Sequence, residues 1–392
     1  MVRVIDLDAE RRRTPGCTNQ VFLDSAGSSL PTTETTEAVI SHLRREAEVG
    51  GYRAAEERAE DLAALPASLA ALLGCEAGEI ALTDSATRAW TQLVGSLRLG
   101  PGDRVLICGN EYASNAIALL QRARLDGCSV EAVPSRPGGQ VDLDALAGML
   151  DEKVRLVSLV QVPTGSGQVA PVAAAARLAR EAGALVLLDA CQSVGQLAVD
   201  VRALGVDALT ATGRKWLRGP RGTGFLYVRR ELLAGLEPRG ADLRAGTWTA
   251  PDDYELRADA GRFEQWEADL AGRLGLKVAV EHLLALGPAT VEAAVRANAT
   301  ALRDGLATLP RVTVHDLGPD LSGIVTFTLD GTTPEEVKAR LREAGVTVSV
   351  STVSSTLLDL TERGLDAVVR ASPHYFVSPA DLERAVAAVA AL

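Results

Sequence analysis

The sequence predicts an α/β protein: a large domain on a mostly parallel seven-stranded sheet, joined to a smaller α+β domain. Three observations carry that prediction. After Leu65 the chain alternates short, nearly continuous apolar runs with helical stretches, the pattern of parallel strands covered on both faces. From about Glu281 this alternation gives way to a mixed helix and strand texture. At 392 residues the chain can form two domains and bury a core without covalent staples. The boundaries expected are 20–280 for the large domain, with 1–19 and 281–392 forming the small one.

The strands of the large domain are expected at Glu79 to Thr83, Arg104 to Cys108, Ser129 to Val133, Leu156 to Val162, Ala184 to Asp189, Val206 to Thr210 and Gly224 to Val228. Helices are expected between them at Ala113 to Asp126, Leu143 to Leu150 and Val172 to Ala182. The stretch Arg239 to Arg262, rich in Gly, Asp and Arg, is expected to be a long ordered loop. In the small domain a helix over Pro288 to Leu306 precedes strands near Val312 to Val314 and Gly323 to Leu329. Thr333-Pro-Glu-Glu336 is a capping box with proline at the first helical position, opening a helix that ends near Ala344. A strand at Val346 to Val350 follows, and the last helix starts at Ser378 with Asp381 three positions on.

Composition narrows the function. Hydrophobic residues make up 47% of the chain and charged ones 23%, ordinary for a globular enzyme. A net charge of −11 argues against a general nucleic-acid binder. Cys17, Cys75, Cys108, Cys128 and Cys191 are dispersed, with no Cys-x-x-Cys, which suggests reduced thiols and no metal centre. Met1 to Arg13 is charged, and no apolar stretch reaches spanning length, so neither leader nor membrane span is expected and the location expected is cytoplasmic.

The chemistry concentrates at strand ends, where open α/β sheets bind ligands. Ala184-Leu-Val-Leu-Leu-Asp189 closes an apolar strand with a carboxylate, which is costly to bury without a cationic partner. Downstream, Thr212-Gly-Arg214-Lys215 offers an amine beside a hydroxyl and a guanidinium. A lysine amine can hold pyridoxal phosphate (PLP) as a Schiff base, and a carboxylate can keep its pyridine nitrogen protonated. Thr83-Asp-Ser-Ala86-Thr87, a strand running into a helix, would offer a phosphate free amides and hydroxyls. Taken singly, Asp189 reads equally as a turn residue, Lys215 as part of a basic surface loop and Ser85 or Thr87 as a helix cap.

Together these segments resemble the class V aminotransferase group of fold-type I PLP-dependent enzymes, which includes the cysteine desulfurases. The resemblance runs from about Val21 to the C-terminus. It is strongest at Leu188-Asp-Ala-Cys-Gln-Ser-Val-Gly, at Thr212-Gly-Arg-Lys and at Gly219-Pro-Arg-Gly-Thr-Gly-Phe-Leu-Tyr. It implies the fold-type I transferase fold and a homodimer acting on a small amino acid, with no nucleic-acid or membrane partner. It also implies residue roles. Lys215 matches the catalytic Schiff-base lysine, Asp189 the pyridinium partner and Gln192 the residue near the ring's phenolic oxygen. Ala86 and Thr87 match the phosphate-binding turn, joined by Thr212 and Arg214. Tyr112 falls where a ring-stacking histidine is usual, and Thr164 where an asparagine touches the cofactor. Arg370 matches the arginine that clamps the substrate carboxylate. Ala26, with Tyr52, Trp248 and His374, is a candidate to line the substrate side, though each reads first as packing or loop structure.

Two departures bear on the reaction. Desulfurases carry sulfur on a cysteine in a small-domain loop, and here that loop reads Val348-Ser-Val-Ser-Thr-Val-Ser-Ser-Thr-Leu-Leu, with no cysteine after Cys191 anywhere. Around Arg262-Phe-Glu-Gln-Trp266-Glu267 the chain lacks a Gly-Thr that many relatives give to the partner's phosphate, which leaves Arg214 to compensate. After α-proton transfer to Lys215, three outcomes share these residues: β-elimination, transamination and epimerisation. The cysteine-less loop resembles that of cyst(e)ine C–S lyases and hercynylcysteine sulfoxide lyase, as does Glu46-Ala-Glu-Val-Gly-Gly-Tyr52 for the latter. The resemblance therefore implies a lyase on a cysteine-derived substrate. A class V aminotransferase or an isopenicillin N epimerase-like enzyme is the alternative, ahead of a desulfurase or an inactive scaffold.

Overall fold

The computed structural model describes residues 5–136 and 139–392, so the first four residues of the charged N-terminal stretch lie outside the described residues. The seven expected strands form one sheet: β1 (Ile80–Thr83), β2 (Arg104–Cys108), β3 (Ser129–Val133), β4 (Val154–Val160), β5 (Leu185–Asp189), β6 (Ala208–Thr212) and β7 (Gly224–Val228). Their spatial order is β1-β7-β6-β5-β4-β2-β3. Parallel pairing runs from β6 to β3, while β7 is antiparallel to both β1 and β6. The reason lies in the connection. Residues 213–223 contain no helix, so the chain cannot cross over and must return antiparallel.

Side chains alternate between the two faces of these strands. Phe225 and Tyr227 join one buried cluster with Leu188 and Leu209, whereas Leu226 and Val228 join the other with Leu187 and Ala208. Helices α1 (Ala86–Ser96), α2 (Ala113–Asp126), α3 (Leu143–Met149), α4 (Val172–Glu181) and α5 (Leu270–Leu286) belong to this domain. Among the described residues no single helix is long and apolar enough to cross a membrane.

The C-terminal part holds a four-stranded antiparallel sheet with its own helices. Strands β10 (Val312–Val314), β11 (Val325–Leu329), β12 (Ser349–Thr352) and β13 (Ala367–Ala371) lie in the order β10-β11-β13-β12. The expected capping boxes are present at Thr333/Glu336 and Ser378/Asp381, opening Pro334–Glu343 and Pro379–Ala390. Two N-terminal residues, Val21 and Phe22, pair in parallel with Val346 and Thr347, which ties the start of the chain to this part.

Four expectations need correction, the first being the fourth strand, which lies two residues earlier than expected, at Val154–Val160. Arg239 to Arg262 is not a plain loop: β8 (Gly246–Ala250) and β9 (Asp253–Leu256) form a hairpin within it. The alternating Thr247-Trp-Thr and the turn at Pro251-Asp252 encode it, but glycine and charge dominate the window's composition. The sixth strand lies two residues later than expected, because Asp207 is drawn out of it to accept from Val186 N at 2.8 Å and Arg229 Nε at 2.9 Å. The single strand expected at Val346 to Val350 is two, since Val346–Thr347 pairs with the N-terminal residues and β12 with β13.

Candidate active site

The carboxyl ends of β1, β2, β4, β5 and β6 and the return loop 213–223 surround one cleft. Ala86, Thr87, Tyr112, Thr164, Asp189, Gln192, Thr212, Arg214 and Lys215 all line it. The nine residues expected to contact the cofactor, spread over 130 positions, are therefore brought together.

Lys215 is set by its loop. Gly213 N donates to Thr223 O at 3.0 Å, Gly219 N to Gly213 O at 2.8 Å and Arg218 N to Lys215 O at 2.9 Å, so the loop folds on itself. Arg218 adopts a left-handed φ of 61°, the one non-glycine to do so among the described residues. Its guanidinium is fastened to Leu30 O at 2.8 Å, Tyr375 Oη at 2.5 Å and Thr14 Oγ1 at 2.5 Å. The backbone of Trp216 packs on Gly195, where any side chain would collide. Burial pushes the Lys215 pKa down, with the nearby Arg370 and Arg214 cations adding to the fall and Cys191 and Asp189 opposing it.

Asp189 is buried at the end of β5. Its Oδ1 accepts from Cys191 N and its Oδ2 from Asn115 Nδ2, both at 2.8 Å. Gln192 Oε1 accepts from Trp216 Nε1 at 3.0 Å, and Gln192 Nε2 donates to Ala26 O at 3.0 Å. Its second amide hydrogen meets only Thr164 Oγ1 at 3.5 Å, a poor bond. Arg214 donates to Gly27 O, and burial lowers its pKa. Ser85 caps α1 by accepting from Arg88 N at 3.1 Å, which leaves the first amides of that helix without intrahelical acceptors.

Arg370 lies on β13, buried to 6% exposure. It donates to Thr164 Oγ1 and, at 3.3 Å, to Asp24 Oδ1, and its Nε has no hydrogen-bond partner among the described residues. Burial raises the Asp24 pKa while Arg370 pulls it down. The side chain is held beside the cleft through Thr164 and has a donor to give.

Of the candidates for the substrate side, Ala26 reaches the cleft only through its carbonyl bond to Gln192, and its N–H is taken by Ser372 Oγ at 3.0 Å. Tyr52 and Trp248 are 81% and 79% exposed and do not line the cleft. His374 is fully buried, donates from Nε2 to Trp216 O and accepts Tyr375 N at Nδ1, both at 2.9 Å. Burial and the Arg218 cation push its pKa down to about 3. The neutral ring packs among Trp216, Tyr375 and Phe376 and does not line the cleft.

PLP would find its counterparts here. A phosphate would meet the open amides of Ala86 and Thr87 with Arg214 close by. A protonated ring nitrogen would meet Asp189, an aldehyde carbon Lys215, and a phenolic oxygen the second amide hydrogen of Gln192. The donor set fits the group.

The Aminotransferase class-V family profile matches residues 21–385. The chain belongs to that family. It is a PLP-dependent class-V enzyme. A probable hercynylcysteine sulfoxide lyase of Mycobacterium tuberculosis is 35% identical over 380 residues, covering 95% of this chain and 91% of the relative. The apo cysteine desulfurase of Thermococcus onnurineus superposes with a TM-score of 0.91 at 22% identity, over 100% of this chain and 99% of that one. A cystine C–S lyase bound to its product cysteine persulfide gives 0.87 at 24% identity, over 96% and 99%. At these identities the two structures speak to the fold.

Sequence reasoning gave no role to several residues of this class-V site. Arg221, Gly222 and Thr223 line the cleft from the return loop, within a motif that carried the resemblance without a role for these three residues. Asn115, which holds Asp189, sits in the same run as Tyr112, where a polar residue in a first helical turn looks like ordinary capping.

Proposed function

We propose that this class-V enzyme is a C–S β-lyase acting on a cysteine-derived amino acid, releasing pyruvate and ammonia. One observation carries the reading. The small-domain segment that leans on the cleft presents hydroxyls and no thiol. Ser351 Oγ donates to Thr164 O at 2.8 Å and Ala113 N donates to Ser355 O at 2.9 Å, so this segment packs beside Thr164 and Tyr112. The cysteine lining the cleft, Cys191, has its thiol pKa pushed well above the ordinary value, first by burial and then by Asp189. A protonated thiol is a poor sulfur acceptor. The sulfur must leave on a group the substrate itself brings. The names of the lyase relative and of the cystine C–S lyase structure agree with this reading.

Bound PLP supplies the electron sink that makes an α-proton removable. Lys215, its pKa lowered by burial, takes that proton as general base. Asp189 would face the ring nitrogen, Tyr112 would stack on the ring, and Ala86, Thr87, Thr212 and Arg214 would hold the phosphate. Thr164 and Gln192 would flank the ring edge. Arg370 grips the α-carboxylate with two parallel bonds, which points the α-hydrogen at Lys215. The Cβ–S bond breaks with its electron pair leaving on sulfur. With one water, the products are the sulfur leaving group, pyruvate and ammonia. The active form is a homodimer, and the exposed Leu243, Trp248, Tyr254 and Trp266 are the surface that pairing would cover.

Pyruvate release measured with cysteine, cystine, S-substituted cysteines and their sulfoxides tests the proposal, with amino-group exchange to a keto acid run in parallel. Pyruvate equal to the sulfur product supports it. Amino transfer without pyruvate overturns it.

A further inference from the structure

Asp189 is connected to a second buried carboxyl. Asn115 Nδ2 lies 2.8 Å from Asp189 Oδ2 and 3.0 Å from Glu111 Oε1. Glu111 also accepts Tyr112 N at 2.9 Å, and its other oxygen accepts Ser158 Oγ. Glu111, Asn115 and Ser158 are buried and none lines the cleft. The orientation of the amide is forced, because its NH2 group has one hydrogen for each carboxylate while its oxygen would repel both. A helix-to-sheet contact alone would be served by apolar residues without the cost of burying an amide and a carboxyl.

We propose that Asn115 and Glu111 are positioning residues for Asp189: Asn115 fixes the orientation of its carboxylate, and Glu111 sets through that amide the charge it feels. The inference rests on the proposed placement of Asp189 at the ring nitrogen. Glu111 faces Asp189 on β5, Ser158 on β4, Cys108 on β2 and Asn115 and the Tyr112 amide at the start of its own helix. No cation is among them. Burial pushes its pKa up to about 7; the Ser158 and Asn115 hydrogen bonds oppose the rise and the Asp189 charge adds to it. When Glu111 loses its proton, a second negative charge behind Asp189 strengthens its hold on the ring proton. When Glu111 is protonated, that push relaxes.

The test compares the holoenzymes of wild type, Asn115→Ala, Glu111→Gln and Asp189→Ala. The readouts are cofactor content, the pH dependence of the cofactor's visible absorption, and kcat and KM for an S-substituted cysteine. Glu111→Gln loses the charge and keeps an acceptor for Asn115 and Tyr112, with the Ser158 hydroxyl turning to accept from the new amide. It is expected to retain cofactor and lose the step in the absorption and kcat profiles near pH 7. Asn115→Ala is expected to retain cofactor and KM while kcat falls roughly ten- to hundredfold, the range seen when an outer partner is removed from a functional ligand. Asp189→Ala should lose more than either. The inference is overturned if Asn115→Ala and Glu111→Gln match wild type while Asp189→Ala is crippled. It is also overturned if activity in Asn115→Ala falls only in step with cofactor or folded protein. An Asp189→Ala enzyme that matches wild type removes the placement of Asp189 itself, and this inference with it.

Discussion

Replacing Arg370 with alanine probes the substrate grip most directly. The guanidinium is 6% exposed, with an unpartnered Nε and a 3.3 Å contact from Nη2 to Asp24. A carboxylate drawing on two of these donors gains charge-assisted bonds of about 1.5–3 kcal/mol each. Part of that gain offsets the contact that Asp24 gives up, so a net loss of about 3 kcal/mol is expected on truncation. That is roughly a hundredfold in kcat/KM. Most of it should fall on KM, because the carboxylate is gripped equally before and during the reaction. The assay compares an S-substituted cysteine with the matching S-substituted cysteamine, which lacks the carboxylate. Wild type should favour the cysteine, and Arg370→Ala should lose that preference. Arg370→Lys should recover only part of it, since a point charge lacks the planar fork. Wild-type kcat/KM in Arg370→Ala, or an equal fall for both substrates, refutes the assignment.

Lys215→Ala should abolish the visible band of the covalently held cofactor and turnover together, as absorption and pyruvate assays on one preparation will show. His374 titrates near 6.5 in the unfolded chain but only near 3 when folded, so the unfolded state binds the extra proton between those values. Its contribution to stability is therefore complete above about pH 6.5 and lost progressively toward pH 3. In thermal melts across this window, His374→Gln should flatten the slope. Glu264, 3% exposed, accepts from Leu82 N at 3.0 Å and Arg244 Nε at 3.1 Å and lies 3.6 Å from Arg273. Glu264→Ala leaves two cations and a strand amide without their acceptor and should cost about 3 kcal/mol, read from denaturant unfolding.

The central sheet was legible because its strands are buried on both faces and so read as unbroken apolar runs. Leu185–Asp189 is the clearest case. The strand carrying Arg370 was not read as one, since five residues with a buried arginine near the end break the apolar signal. The hairpin at Gly246–Leu256 was hidden for the opposite reason: both its faces are largely exposed, so its composition is that of a loop. Within the site, Lys215, Asp189 and Arg370 stood out through motif and charge. Asn115 went unread because its contact is with Asp189, 74 positions away, and Glu111 because it meets Asp189 only through Asn115, relations that no local pattern records.

The helix-free return between β6 and β7 has a consequence for assembly of the site. These two strands are neighbours in both sequence and space, so their pairing closes a short loop at little entropic cost. The strand pairing that brackets the Lys215 loop is thus local, and local contacts form fast, whereas the bonds that fasten Arg218 to Thr14, Leu30 and Tyr375 join distant segments. Arg370 reaches the cleft from far along the chain and must await docking of the two sheets. The loop that carries Lys215 is thus expected to close early and to take its final shape only when the C-terminal part brings Tyr375, His374 and Arg370 to it.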